Sequence, residues 1–174
     1  MSFGKGILKF QKGYSLSQVP TQAEVPYVEK HRESTSAEII RLAPKSVLSI
    51  CDIGKHRSRL TAAALKSQGY EADYMGATTG DARNWDEYDA FVFATVTTRN
   101  NFCKRFPESA DYPYRIINLE NMDKYRSAVR ELDNITSSGR HLVNTAPSGD
   151  FFGAAMVELT EKVQELGFVD KNPV

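Results

Sequence analysis

The sequence predicts an α/β fold with three layers, in which helices cover both faces of a mainly parallel central sheet of about four to five strands. Short apolar runs rich in branched and aromatic residues alternate along the chain with amphipathic stretches. Glycine or proline follows most of these stretches, as is common where strands and helices end. Strands that alternate with helices form βα units, and the strands of such units run parallel.

The N-terminal half of the chain carries two predicted helices with one strand between them. In the stretch ESTSAEIIRLAP, Ser34 or Thr35 can cap a short helix that Pro44 ends. Residues 47–50 form a short apolar run with branched side chains, which is typical of a buried strand. Residues 58–68 are rich in alanine and leucine and precede a glycine, so we expect a helix there.

The middle of the chain continues the alternation. Residues 70–75 are predicted as a strand that ends at a glycine. Residues 89–96, within YDAFVFATV, are the clearest strand because they are aromatic and branched with almost no charge. Residues 97–106 are predicted as a helix that a proline stops, and residues 114–119, YRIINL, as a further strand.

The C-terminal part is predicted to hold two helices and a short strand. Residues 123–132 have a helical pattern, and residues 141–144 form a short apolar run that suits a strand. Residues 151–166 are strongly amphipathic and are followed by a glycine, which predicts a final helix.

The length of 174 residues fits a single domain with its own core. Hydrophobic residues make up 41% and charged residues 25%, a composition that excludes a disordered chain. We divide the domain into an N-terminal extension of unassigned role (1–44), a core (45–135) and an additional strand and helix (136–174).

Charge and cysteine usage exclude several classes of function. Lys plus Arg and Asp plus Glu both number 22, so a partner such as a nucleic-acid polymer is not expected. No apolar run is long enough to cross a bilayer and the N-terminus lacks a signal-peptide pattern, so no membrane partner is expected. Two cysteines form no disulfide framework, which favours a cytoplasmic location. The three histidines and two distant cysteines lack metal-ligand spacing, and no cofactor is expected.

The stretch SICDIGKHRSRLTAAALK contains the motif C-x5-R-S from Cys51 to Arg57 and Ser58. A loop of this length between a strand and a helix can turn its backbone N–H groups toward one point, and the helix adds the positive end of its dipole. Such a nest fits a tetrahedral oxyanion. Gly54 supplies backbone freedom in the middle of the loop.

The motif predicts covalent phosphate chemistry. Arg57 can bind two phosphate oxygens, and the field that holds the anion also favours the thiolate form of Cys51. Ser58 can donate a hydrogen bond to the sulfur when a phosphocysteine intermediate is hydrolysed. The alternative is that Cys51 is an ordinary buried thiol at the end of a strand. The phosphate-binding residues predicted for the loop are Asp52, Ile53, Gly54, Lys55, His56 and Arg57.

The stretch VLSICDIGKHRSRLTAAALKSQGYEADYMGA resembles the opening of the low-molecular-weight protein tyrosine phosphatases and arsenate reductases. WDEYDAFVFATVTTRNNFCKRF and YRIINLENMDKYRSAVREL are similar to later segments of that family, the second to a compact predicted branch of it. The resemblance covers about residues 47–132 and is specific in the loop. The chain departs from the family at Ile53 and Gly54, where the family usually has Gly and Asn, and at His56, where many members have a second cysteine.

The resemblance implies a general acid from a late loop, and Asp123 in NLENMDKYRS is our choice. The alternative for Asp123 is a helix N-cap. Tyr125 is predicted to line the pocket wall, as an aromatic residue does in the family, or else to be an ordinary core or surface tyrosine. Asp150 in NTAPSGDFFGAAM is the reserve acid, or else the N-cap of the last helix.

Three further residues near the predicted chemistry have open roles. Asp52 is expected to point outward, toward Lys55 or Arg59, because a carboxylate beside the nucleophile disfavours the thiolate. His56 either tunes the thiolate or faces solvent. Cys103 is expected to be structural.

These residues predict a cysteine-dependent phosphatase of the low-molecular-weight tyrosine type, acting on a phosphorylated protein or small molecule. One alternative is a protein that holds a phosphorylated small molecule or nucleotide in the same loop without turnover. Another is arsenate reduction, for which Cys103 is the available second thiol.

Overall fold

The computed structural model describes residues 32–79, 84–138 and 150–168. The sheet within these ranges has four parallel strands, which are β1 (Ser46–Cys51), β2 (Glu71–Gly76), β3 (Ala90–Phe93) and β4 (Tyr114–Ile116). The α-helices are α1 (Ser36–Leu42), α2 (Arg57–Ser67), α3 (Val96–Arg105), α4 (Met122–Ser138) and α5 (Asp150–Glu165). Short 3₁₀ helices at Trp85–Glu87 and Pro107–Asp111 precede β3 and β4.

Helices cover both faces of the sheet, which confirms the three-layer α/β fold. On one face, the buried side chains of α1, α2, α4 and α5 pack on strand residues that include Val47 and Val92. On the other face, Phe102 of α3 packs on Leu48 and Phe91. Successive strand residues point to opposite faces, so one short strand supplies both cores.

The strand order is β2-β1-β3-β4, and this order positions the candidate site. The chain leaves β1 to one side to form β2, and then returns to the other side of β1 to form β3. The connections that leave β1 and β3 at their carboxyl ends therefore diverge. In doubly wound sheets such a divergence opens a crevice in which ligands bind.

Several predicted boundaries are corrected. The strand predicted at 89–96 ends at Phe93, because Thr95 accepts a hydrogen bond from Thr98 N (3.1 Å) and caps α3. The strand predicted at 114–119 ends at Ile116, because Asn118 has a left-handed backbone with φ of 61°. The predicted strand at 141–144 lies outside the described residues.

The last two helices are joined by a buried carboxylate. Glu131 of α4 accepts hydrogen bonds from Phe151 N (3.3 Å) and Phe152 N (2.7 Å) in the first turn of α5. The first N–H groups of a helix lack acceptors within the helix, so this side chain satisfies two of them from a neighbouring helix. Helix α5 is thereby fixed against α4 and packs on α2.

Candidate active site

The candidate site lies at the carboxyl end of β1, where Cys51 is the last strand residue and is buried. Gly54 N donates a hydrogen bond to Cys51 Sγ over 3.2 Å. Cys51 Sγ donates to Ser58 Oγ over 3.1 Å as a thiol, and a thiolate in its place would accept from that hydroxyl. The contact expected from the C-x5-R-S spacing is therefore present. The sulfur therefore accepts one backbone N–H and lies within hydrogen-bond distance of the Ser58 hydroxyl.

The loop after Cys51 is curled tightly against the end of β2. Gly54 has a φ of 73°, and a Cβ there would lie 2.5 Å from Gly76 N. Two backbone hydrogen bonds hold the start of the loop against the residues after β2. Ala77 N donates to Cys51 O (2.8 Å), and Thr78 N donates to Asp52 O (3.0 Å). Only glycine fits this left-handed, backbone-contacting position.

Helix α2 begins directly after the loop, and its N-cap residue His56 makes no side-chain capping bond. The first hydrogen bond into the helix backbone is donated by Leu60 N to His56 O (3.1 Å). The N–H groups of the first turn therefore have no acceptor within the helix. Together with the helix dipole, they form a setting that favours a bound anion.

Arg57 is buried beside the loop with 4% of its surface exposed. Its Nη1 donates to Leu119 O (2.9 Å), and its Nη2 donates to Asp52 Oδ2 (3.3 Å). A guanidinium group has five N–H donors, so these two bonds leave others for a ligand. Binding of phosphate oxygens by Arg57 stays a prediction.

Asp52 does not point toward Lys55 or Arg59, and that expectation is wrong. Its carboxylate lies between Arg57 and Thr98, whose Oγ1 donates to Asp52 Oδ1 over 2.9 Å. The physical reason is the buried guanidinium, which needs a compensating anion nearby. Arg59 instead forms an ion pair with Asp133 (2.9 Å).

Asp123 lies in the first turn of α4 with its carboxylate 90% exposed. It accepts a hydrogen bond from Arg126 Nη1 over 3.0 Å. The alternative role as N-cap is filled by another residue, because Asn121 Oδ1 accepts from Lys124 N (3.2 Å). The role of Asp123 as general acid stays a prediction.

Tyr125 is not on a pocket wall, which corrects the prediction. Its ring is 3% exposed in the core between α4 and α5, and its hydroxyl donates to Glu158. Burial first, and then Glu158, raise the pKa of Tyr125 well above its ordinary value. The ring faces inward because it occupies the apolar stripe of α4 with Ala128 and Val129.

Asp150 and Cys103 are the other residues that the sequence analysis singled out. Asp150 begins α5, but its side chain lies outside the described residues. Cys103 is half-buried on α3, where its Sγ lies 3.9 Å from Ser109 Oγ. A structural role for Cys103 fits this contact.

His56 is half-buried, and its Nδ1 has no hydrogen-bond partner. Burial lowers the pKa of His56 from 6.5, and the positive charges of Arg126, Lys55, Arg130 and Arg57 lower it further. The lowered pKa favours the neutral form of the imidazole. The charges that act on it also indicate a positive field at this side of the loop.

Sequence reasoning missed two groups at the site, which are the hydroxyl of Thr98 and the backbone carbonyl of Leu119. Both follow a strand that runs parallel to β1. A signal for Thr98 existed, because polar residues just after the carboxyl end of a neighbouring parallel strand come close to the β1 loop. No side-chain pattern could have indicated a backbone carbonyl.

Comparison with family models, with curated proteins and with solved structures gives no match to this chain. The resemblance to low-molecular-weight tyrosine phosphatases therefore stays a prediction. Among the described residues, no group of three or more His, Cys, Asp or Glu side chains is arranged to hold a metal ion. Of the helices in the same part of the chain, none is both long and apolar enough to span a membrane.

Proposed function

We propose that this protein is a cysteine-dependent phosphatase that hydrolyses a phosphomonoester, either phosphotyrosine or a small phosphorylated molecule. The observation that carries the proposal is the position of Cys51 Sγ, which receives Gly54 N–H and contacts Ser58 Oγ in front of an uncapped helix start. The buried Arg57 stands beside the same loop. A phosphocysteine mechanism needs three parts, which are a thiolate nucleophile, a group of N–H donors that binds the phosphoryl oxygens, and a guanidinium group.

In the first step the Cys51 thiolate attacks phosphorus, so that a sulfur–phosphorus bond forms and the bond from phosphorus to the ester oxygen breaks. Asp123 gives its proton to the departing oxygen. In the second step Asp123 takes a proton from water, which attacks the phosphocysteine. The sulfur–phosphorus bond breaks, inorganic phosphate leaves, and the Ser58 hydroxyl donates a hydrogen bond to the released thiolate.

Arg57 and the loop N–H groups hold the phosphoryl oxygens in both steps. In the structure, Asp52 and Leu119 O take two of the Arg57 donors and fix the plane of the guanidinium. A fixed guanidinium can bind an oxyanion without first losing its own freedom.

We propose a cytoplasmic location for this activity. Both cysteines in the described residues are free thiols, and a thiolate nucleophile remains active only where the surroundings are reducing.

Hydrolysis of p-nitrophenyl phosphate tests the proposal, with matched cysteine variants. We expect the wild type to release p-nitrophenol and Cys51→Ser to lose at least about a thousandfold in kcat, because the nucleophile is removed. Cys103→Ser is the control and should keep wild-type activity. No turnover by the wild type, or equal turnover by Cys51→Ser, would refute the phosphatase proposal. Arsenate reduction that is lost in Cys103→Ser would favour the reductase alternative.

A second candidate function is phosphate-ligand binding without turnover. The observation that favours it is the state of Asp123, which is largely exposed and paired with Arg126 rather than directed at the cysteine by any bond. Turnover of p-nitrophenyl phosphate separates the two, because only the enzyme hydrolyses the ester, and thermal unfolding in the presence of phosphate tests the anion loop that both need. A ligand at about 100 times its Kd stabilises the folded state by about 2.7 kcal/mol, and a pure binder should show this gain in Cys51→Ser but not in Arg57→Lys. Absence of any shift with phosphate and with vanadate would refute both candidates.

A further inference from the structure

A group of three cations, Lys55, Arg126 and Arg130, borders the cysteine loop and is called here the basic rim. Lys55 belongs to the loop, while Arg126 and Arg130 lie four positions apart on α4 and so share one helix face. Asp133, three positions further along that face, forms an ion pair with Arg59 in the first turn of α2. This face of α4 therefore borders the helix start that the loop leads into.

Much of the positive charge of the basic rim is not neutralised. Lys55 and Arg130 are exposed, and within residues 32–79, 84–138 and 150–168 neither of them forms an ion pair. Arg126 forms an ion pair with the exposed Asp123, which partly neutralises its charge. Two nearby carboxylates are engaged elsewhere, since Asp52 contacts Arg57 and Asp133 contacts Arg59.

The charges that act on His56, at the end of the loop, support this arrangement. Burial is the largest cause of the lowered pKa of His56. The next causes are the charges of the basic rim and of Arg57, and all of them are positive. Asp123 and Asp133 are the exposed carboxylates nearest to the basic rim in sequence, and neither is among the main charges that act on His56.

We propose that the basic rim binds a second anionic group on the ligand whose phosphate ester occupies the Cys51 loop. The substrate class is then a phosphomonoester that carries at least one further negative charge, such as a sugar bisphosphate or a phosphotyrosine peptide with acidic neighbours. The inference rests on the proposed function, because the loop must first hold the phosphate. Exposed cations on a rim contribute modestly, and their effect is weakened by salt.

The test compares matched substrates, of which one member carries an additional anionic group. One pair is fructose 6-phosphate and fructose 1,6-bisphosphate, and the other is a phosphotyrosine peptide flanked by Ala and the same peptide flanked by Asp. We expect kcat/KM to be about fivefold higher for the more anionic member at low ionic strength, and the preference to fade at high salt. The pair that shows the larger preference identifies the source of the second anion.

Two charge reversals decide whether the basic rim causes the preference. Arg130→Glu should abolish it, while the control Lys45→Glu, at the opposite end of β1 and about 20 Å from the loop, should keep it. The inference is wrong if the wild type shows no preference, or if the two variants behave alike. Such a result would leave hydrolysis of the simple phosphomonoesters, and with it the proposed function, untouched.

A binding measurement keeps the inference testable if no substrate turns over. Thermal unfolding of Cys51→Ser is followed with phosphate and with pyrophosphate at equal concentrations. A larger shift with pyrophosphate that Arg130→Glu removes supports the basic rim even without catalysis. Equal shifts with both anions contradict it, and the absence of both shifts refutes the anion loop itself.

Discussion

Replacement of Gly54 by alanine tests the loop geometry on which the site depends. The change adds one methyl group at a residue with φ of 73°. The new Cβ would lie 2.5 Å from Gly76 N and 2.7 Å from the carbonyl carbon of Met75. Both are backbone atoms of β2 and cannot rotate away as a flexible side chain can. The loop or the strand must therefore move.

The expected cost has two parts. A left-handed backbone costs a non-glycine residue about 1–2 kcal/mol, and overpacking against rigid atoms costs a further ~1–3 kcal/mol. The two parts sum to about 2–5 kcal/mol. A loss of about 3 kcal/mol lowers Tm by about 6–12 °C for a chain of this size. Movement of Gly54 also withdraws the N–H group that is bonded to Cys51 Sγ, so phosphatase activity should fall more than stability alone explains.

Two other glycines provide matched controls in calorimetry or urea unfolding. Gly69 has φ of 99° but no atom within 4 Å of its would-be Cβ, so Gly69→Ala should show the backbone strain alone. Gly153 lies within α5 with open space around it, so Gly153→Ala should stabilise the protein by about 0.5–1 kcal/mol. If Gly54→Ala loses no more stability than Gly69→Ala, the loop is not packed on β2 as described.

Other contacts at the loop and below the last helix predict measurable effects of their own. Thr98→Val removes the hydroxyl that binds the carboxylate beside the loop cysteine and should lower the free energy of unfolding by about 1 kcal/mol, whereas Thr97→Val, at an exposed neighbour, should change it little. Glu131→Ala removes the acceptor for two N–H groups of α5 and should lower the free energy of unfolding, measured in urea, by about 2 kcal/mol. If the exposed control Glu161→Ala loses as much stability, Glu131 does not cap α5. The pKa of His56, followed by NMR, should lie below 6.5 in the free protein and rise when pyrophosphate binds, and a pKa at or above 6.5 in the free protein would contradict the positive field. Since the folded pKa is lowered, the unfolded chain binds this proton more readily, and stability should fall as the pH drops from about 6.5 toward the folded pKa.

The order of strands and helices was predictable because each element carries its own local pattern. The apolar run at β1, the alanine-rich α2 and the C-x5-R-S spacing between them are contiguous in the sequence. Contacts that stay within this segment, such as Cys51 with Ser58, follow from that spacing once the strand and helix are in place.

The predictions for Tyr125 and Asp52 were wrong because each side chain could contact several partners that are distant in the sequence. Tyr125 lies close in sequence to the predicted acid, yet it packs inward because the apolar stripe of α4 faces α5. Asp52 was expected to point outward toward Lys55 or Arg59, and its carboxylate instead contacts Arg57 and Thr98, because Arg57 is buried and needs an anion nearby. The burial of Tyr125 and that of Arg57 depend on distant parts of the chain, so neither can be calculated from the neighbouring residues in the sequence.

The sequence by itself determined that this is a doubly covered parallel sheet with a glycine-containing cysteine loop between a strand and a helix. Periodicity, capping and turn residues act over a few positions, and so they can be read locally. The tertiary structure alone decided that Arg57 meets a carbonyl 62 positions away and that Asp52 meets a hydroxyl 46 positions away. Parallel strands bring residues from separate βα units to one edge of the sheet, and only the strand order determines which units meet there.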